Sequence, residues 1–172
     1  MATRSTEAPP PSVAPEISID SAQEFASLVT EQTTGGKIWD AAVMLLEFLE
    51  AQPERLGGRP TVIELGAGTG WLGMTLASRR DLSAMVLTEM VQGGALSWLD
   101  RNVQRNRDAG VPLASVRTAP LDWSWIVDEP TSAAADLAAA ERPAAFAELL
   151  DTHWDVVLGS DLVYNEAGVQ ML

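Results

Sequence analysis

The chain has 172 residues, 47% of them apolar, and a net charge of −13 from 11 basic and 24 acidic side chains. That is enough length and apolar surface for one globular domain with its own core. With no cysteine and His153 as the single histidine, disulfides, thiolate catalysis and thiolate or histidine-cluster metal sites are excluded, and the acidity disfavours a nucleic-acid backbone while suiting a lysine-bearing partner.

Residues 1–16 carry Pro9, Pro10, Pro11 and Pro15 and almost nothing to bury, so a disordered tail is expected. The start lacks the basic and apolar regions of a secretory signal. A transit peptide is poorly matched, because Arg4 is the only base and Glu7 and Glu16 oppose it. No apolar run approaches the roughly 18–20 residues that cross a bilayer. A soluble protein is expected, cytoplasmic or nuclear, with no membrane partner, its domain spanning residues 17–172.

Ile38, Ala41, Ala42, Leu45, Leu46 and Leu49 repeat with helical spacing, which predicts a helix over 38–50. Pro53, Gly57, Gly58 and Pro60 make a loop. Thr61–Leu65 is a short apolar run that ends at Gly66, read as a buried strand. Trp71–Ser78 has helical spacing, and Ala84–Leu87 is a second buried strand that runs into Thr88 and Glu89. Leu96, Leu99 and Val103 mark a further helix, closed by Gly110 and Pro112. On it Asn102 is expected to be solvated, and Trp98 to be packing. Ser115–Thr118 is a weak third strand and Asp155–Leu158 a fourth, with His153 at the surface before it.

Continuous apolar strands alternating with helices predict a parallel sheet covered on both faces, in a doubly wound α/β arrangement. The alanine-rich insertion at about 128–151 is expected to carry a surface helix over Thr131–Leu150. Such a sheet usually continues for two or three more strands, so the sheet is expected to be incomplete at its C-terminal end.

Glu64-Leu65-Gly66-Ala67-Gly68-Thr69-Gly70 follows a predicted strand and opens a predicted helix. Glycines permit the sharp turn and let a ligand approach the main chain, and the helix start offers free N–H groups. Glu89, at the end of the next strand, can accept two hydrogen bonds from a ribose diol. Two cofactor classes fit. Gly68, Gly70 and Gly73 have the G-x-G-x-x-G spacing of nicotinamide dinucleotide binding, but Gly68 comes late after the strand. The register from Gly66 is G-x-G-x-G with Glu64 inside the strand end. It suits S-adenosylmethionine, which has no pyrophosphate to cradle. A purely structural turn is the third alternative.

With these residues in place the chain resembles the family-16 seven-strand methyltransferases, many of them similar to non-histone protein lysine methyltransferases. The matching segments are Thr34-Gly35-Gly36-Lys37-Ile38-Trp39-Asp40-Ala41-Ala42, Val62 to Gly73 across the glycine turn, Leu87-Thr88-Glu89, Leu121-Asp122-Trp123 and Gly159-Ser160-Asp161-Leu162-Val163-Tyr164. The glycine turn is common to all such methyltransferases. The Gly35–Trp39, Leu-Asp-Trp and Asp161–Tyr164 segments are more family-specific.

The resemblance implies a Rossmann-like class I methyltransferase sheet binding S-adenosylmethionine, and transfer of its methyl group to a lysine ε-amine of a protein substrate. Trp39 would border the methionine end. Gly66, Gly68 and Gly70 would pass beneath the cofactor, close to Glu64 and Ser160, and Glu89 would hold the ribose. Asp122 and Trp123 would lie against the adenine. Asp161 and Tyr164 would line the entrance where the lysine meets the methyl group, and no metal is needed. Plainer roles exist for these residues: core packing for Trp39, Trp123 and Tyr164, a helix cap for Asp161. The chain departs from the family in having Glu89 where Asp is commoner and Trp71 where a smaller aliphatic is usual. Rival functions are an inactive cofactor-binding interaction module and a nicotinamide-dependent oxidoreductase.

Overall fold

The computed structural model describes residues 16–19, 25–26, 35–125 and 144–162. Tyr164, the tail over residues 1–15 and the alanine-rich stretch over 126–143 lie outside them.

Helix α1 runs Asp40–Ala51, starting later than the apolar pattern because Trp39 is extended (φ −89°, ψ 151°) and caps it. Strand β1 is Thr61–Leu65. The chain turns through the glycines into helix α2, Trp71–Arg79, and then into strand β2, Ala84–Glu89. The second strand outruns its apolar core, because Thr88 and Glu89 continue the ladder opposite Ala119 and Pro120. Helix α3 covers Ala95–Asp108 and strand β3 covers Val116–Pro120. Helix α4, Ala144–Asp151, precedes strand β4, Val156–Gly159.

The four strands are parallel in the order β3-β2-β1-β4. Side chains alternate between the two faces of the sheet. Val62, Met85, Leu87, Val116 and Leu158 point to one face, where Leu46 and Leu49 of α1, Leu72 and Leu76 of α2 and Leu99 and Val103 of α3 cover them. Ile63, Val86 and Ala119 point to the other, against Phe146 and Leu149 of α4. Burial of each such large apolar side chain stabilises the fold by about 2 kcal/mol. The end of the alanine-rich stretch is thus a layer of the fold, since Phe146 and Leu149 are apolar in helical spacing and seal the second face. Helices on both faces of a parallel sheet make the architecture Rossmann-like and doubly wound.

Asp155, expected inside the last strand, instead ties its entry to β1. Its Oδ2 accepts hydrogen bonds from the Thr61 amide and from Thr61 Oγ1, both at 2.8 Å. His153 is exposed beside it. Among the described residues no helix is long and apolar enough to cross a membrane.

Candidate active site

Strand order reverses direction between β2 and β4 on either side of β1, and ligands of such sheets bind where the carboxyl ends of the strands part. Four segments leave the sheet at that edge: Gly66 after β1, Glu89 at the end of β2, Leu121-Asp122-Trp123 after β3 and Ser160-Asp161 after β4. The pairing of Leu65 with Gly159 and of Glu89 with Pro120 keeps these ends level.

Gly66, Gly68 and Gly70 all have positive φ, at 57°, 55° and 76°, the left-handed region that side chains rarely adopt. The turn is closed by the Gly70 amide donating to the Ala67 carbonyl (2.8 Å) and fastened to β2 by the Ala67 amide donating to the Thr88 carbonyl (2.9 Å). The three glycines differ in purpose. A Cβ at Gly66 would stand 2.8 Å from Leu162 Cδ2 and 3.6 Å from Trp123 Cζ2, and one at Gly68 would stand 3.5 Å from Gly35 Cα. These two expose main chain toward the groups around the crevice. A Cβ at Gly70 would strike Leu99 Cδ1 at 2.5 Å, so Gly70 answers to core packing beneath the turn.

Glu89 faces the turn directly. Its Oε1 accepts the Gly68 amide at 3.0 Å and its Oε2 accepts the Met90 amide at 2.8 Å. Burial raises its carboxyl above the ordinary value, and the Met90 and Gly68 amides oppose that rise. A carboxylate oxygen has two acceptor sites, so one remains on each oxygen beyond these two amides. Glu reaches back onto Gly68 where a shorter Asp would stop.

Glu64 shares the face of Val62, and that turns its carboxylate beneath the first turn of α2, only 2% exposed. Its Oε2 lacks a hydrogen-bond partner. It lies 2.5 Å from where a Gly73 Cβ would be. Gly73 thus makes room for Glu64 together with Leu87 and Met85, whose side chains crowd the same place. Burial pushes the Glu64 carboxyl up to about 8, the Gly73 amide opposing and the Glu89 carboxylate adding to the rise. Glu64, expected at the cofactor, lies buried at the end of β1 beneath the first turn of α2, and Gly73 is closely packed there.

Around this floor Trp123 stands over Gly66, partly buried, and Asp122 precedes it. Trp39 caps α1 with Lys37 Nζ 3.5 Å from its ring centroid, a cation–π contact, and Gly35 abuts Gly68. Asp161 is exposed and, among the described residues, is the non-glycine residue with positive φ, 59°. Such strain collects at functional sites. Trp98 is fully buried, a packing residue as expected, and Trp125 packs edge-to-face on Phe146 at 5.5 Å.

Asn102 departs from expectation. It is fully buried, and its Nδ2 donates to the Thr69 carbonyl at 3.1 Å. The signal was present in its position. Leu99, Asn102, Val103 and Asn106 share one helix face, and a polar residue inside an apolar stripe is buried and bonded.

A groove of about 460 Å³ lies at the opposite edge, lined by Arg59, Arg79, Arg80, Asp81 and Ser115 among others. It is at the amino ends of the strands, the wrong edge for a ligand of this fold. Arg59 and Arg79 there are already paired with Asp81 and Glu50. Among the described residues no group of three or more acidic or histidine side chains could hold a metal.

A parallel sheet with a glycine turn after β1, an acid at the end of β2 bonded to that turn and an indole after β3 defines the class of Rossmann-like folds. The profile of a family described as "Lysine methyltransferase" matches residues 24–140, and the chain belongs to that family. It is 34% identical over 133 residues to the protein N-lysine methyltransferase METTL21A of Danio rerio, covering 75% of this chain and 48% of that protein. It is 29% identical over 141 residues to the EEF1A lysine methyltransferase 3 of Mus musculus (79% and 47%). To the protein-lysine N-methyltransferase EEF2KMT of Mus musculus it is 30% identical over 149 residues (82% and 38%). The chain thus spans about half or less of the length of these relatives.

Proposed function

We propose that this chain is the cofactor-binding part of an S-adenosylmethionine-dependent protein-lysine methyltransferase. One observation carries the reading: Gly66 and Gly68 are partly exposed, left-handed glycines at the carboxyl edge of the sheet, and Glu89 is fastened to that same turn with acceptor sites to spare. An adenosine-bearing ligand fits these groups. The turn begins directly after β1, at Gly66, the register without a place for a pyrophosphate. Gly73 is taken up by Glu64, which weakens the nicotinamide reading.

In this proposal Gly66 and Gly68 form the floor, Glu89 holds the ribose, and Asp122 and Trp123 flank the adenine. Trp39 and Ser160 border the methionine end. When bound, the cofactor supplies an electrophilic methyl group. The chain's own part is to align a lysine amine with it, since transfer of this kind gains most from positioning. A free lysine has a pKa near 10.4, so the amine must shed a proton to react. Asp161, exposed at the end of β4, accepts a hydrogen bond from the amine and orients it, and Tyr164, outside the described residues, walls the entrance. The relatives' names point to protein substrates, the excess of acid suits a lysine-bearing one, and a cytoplasmic or nuclear location goes with such substrates. Asp161→Ala is expected to abolish transfer of labelled methyl to protein in a lysate while leaving affinity for S-adenosylhomocysteine nearly unchanged. A large loss of affinity would contradict the role given to Asp161.

A further inference from the structure

Two asparagines interrupt the apolar face of α3. Both Asn102 and Asn106 are wholly shut off from solvent, where an amide without partners costs about 1–3 kcal/mol. Asn106 is occupied on every side. Its Oδ1 accepts the Ser18 amide at 2.8 Å, and its Nδ2 donates to the Ser18 and Asn102 carbonyls, each at 2.8 Å. It therefore reads the main chain of the N-terminal segment as a neighbouring strand would. Ile17 is buried in the core and Ile19 packs against it, which seats the segment over 16–19 on α3. One turn earlier on the helix, Asn102 holds the Thr69 carbonyl. Thr69 lies between Gly68, whose amide meets Glu89, and Gly70.

A second contact runs the same way. Phe25 packs edge-to-face on Trp98 of α3, with centroids 5.1 Å apart and planes at 70°. Its ring fills the place of a Gly36 side chain, and Gly35 beside it abuts Gly68. The N-terminal segment thus reaches the glycine turn from two directions, one through Asn106 and Asn102 of α3 and one through Phe25, Gly36 and Gly35. If the amides served packing alone, leucines would fill the same stripe with no polar groups to satisfy. Their geometry instead joins main-chain atoms of the N-terminal segment to a main-chain atom of the turn.

We infer that Asn102 and Asn106 are positioning residues for cofactor binding, relaying the seating of residues 16–19 to the Thr69 carbonyl and so holding the turn in its binding conformation. This rests on the methyltransferase reading above. Three left-handed glycines at alternate positions are a floor with many competing conformations, and a ligand's affinity falls by the fraction of chains that hold the competent one. Freeing the relay by one hydrogen bond therefore weakens affinity about tenfold.

Ser18→Pro tests this, because it removes the amide that Asn106 accepts, at a position distant from the crevice. Asn102→Asp is the second variant, keeping shape while turning an acceptor toward the Thr69 carbonyl. Hydrogen exchange at Gly68, Gly70 and Trp71 is measured in the free protein, alongside calorimetric affinity for S-adenosylhomocysteine. The expected result for Ser18→Pro is faster exchange at the turn, unchanged exchange in β1 and β2, and affinity lower by about tenfold. If the unsubstituted chain fails to bind S-adenosylhomocysteine, the methyltransferase reading falls, and exchange at the turn still decides the relay. A folded Ser18→Pro protein with turn exchange and affinity both equal to those of the unsubstituted chain overturns the inference.

Discussion

Glu64→Gln should abolish a large part of the pH dependence of stability. The Glu64 carboxyl moves from its ordinary value of 4.5 to about 8 in the folded chain, mainly through burial. Between those values the folded chain keeps a proton that the unfolded chain has released. Its contribution is therefore full below the unfolded value and is lost as pH rises toward the folded one, by about 1.4 kcal/mol per pH unit. From about pH 5 to about pH 7.5 the loss sums to about 3 kcal/mol, a large share of the stability of a domain this size. Glutamine has the same shape and no charge to desolvate, so the variant should lack this slope. Urea unfolding of both proteins across this range measures it. The variant's advantage is expected to grow by about 3 kcal/mol between the two ends. Parallel curves would refute the reasoning, because they would mean that Glu64 is ionised and accommodated beneath α2.

Gly70→Ala meets both a left-handed φ and the Leu99 methyl, and should lose about 2–4 kcal/mol by denaturant midpoint. Gly68→Ala has ordinary contacts only and should lose about 1–2 kcal/mol, while sharply reducing affinity for S-adenosylhomocysteine; equal losses at the two positions would contradict the division of roles. Glu89→Ala removes the ribose acceptor and should weaken that affinity about tenfold or more, read by calorimetry. Asp155 is held below its ordinary value by the amide and hydroxyl of Thr61. Its contribution is present above the unfolded value and lost as pH falls through the folded one, so Asp155→Asn should lower the melting temperature at neutral pH and flatten its acid limb.

The sheet was legible because each strand is an apolar run bounded by turn residues, and the glycine turn because it stands between such a run and a helix pattern. What escaped was polar and tertiary. Thr88 and Glu89 lengthen β2 through their pairing with β3, which composition does not show. The direction of Glu64 follows from alternation along β1, yet only the gap at Gly73 explains how a carboxylate fits there. Asn102 looked like a surface residue because helix polarity usually means solvent, and its partner, the Thr69 carbonyl, is far away in sequence. The sheet-covering role of α4 was masked by alanine around Phe146 and Leu149.

The claim that Gly66, Gly68 and Glu89 form an S-adenosylmethionine site is tested most directly by calorimetry on the whole chain with S-adenosylhomocysteine and, separately, with NAD. Saturable binding of S-adenosylhomocysteine, weakened about tenfold or more in Glu89→Ala and absent with NAD, is the predicted result. Binding of NAD alone would contradict it.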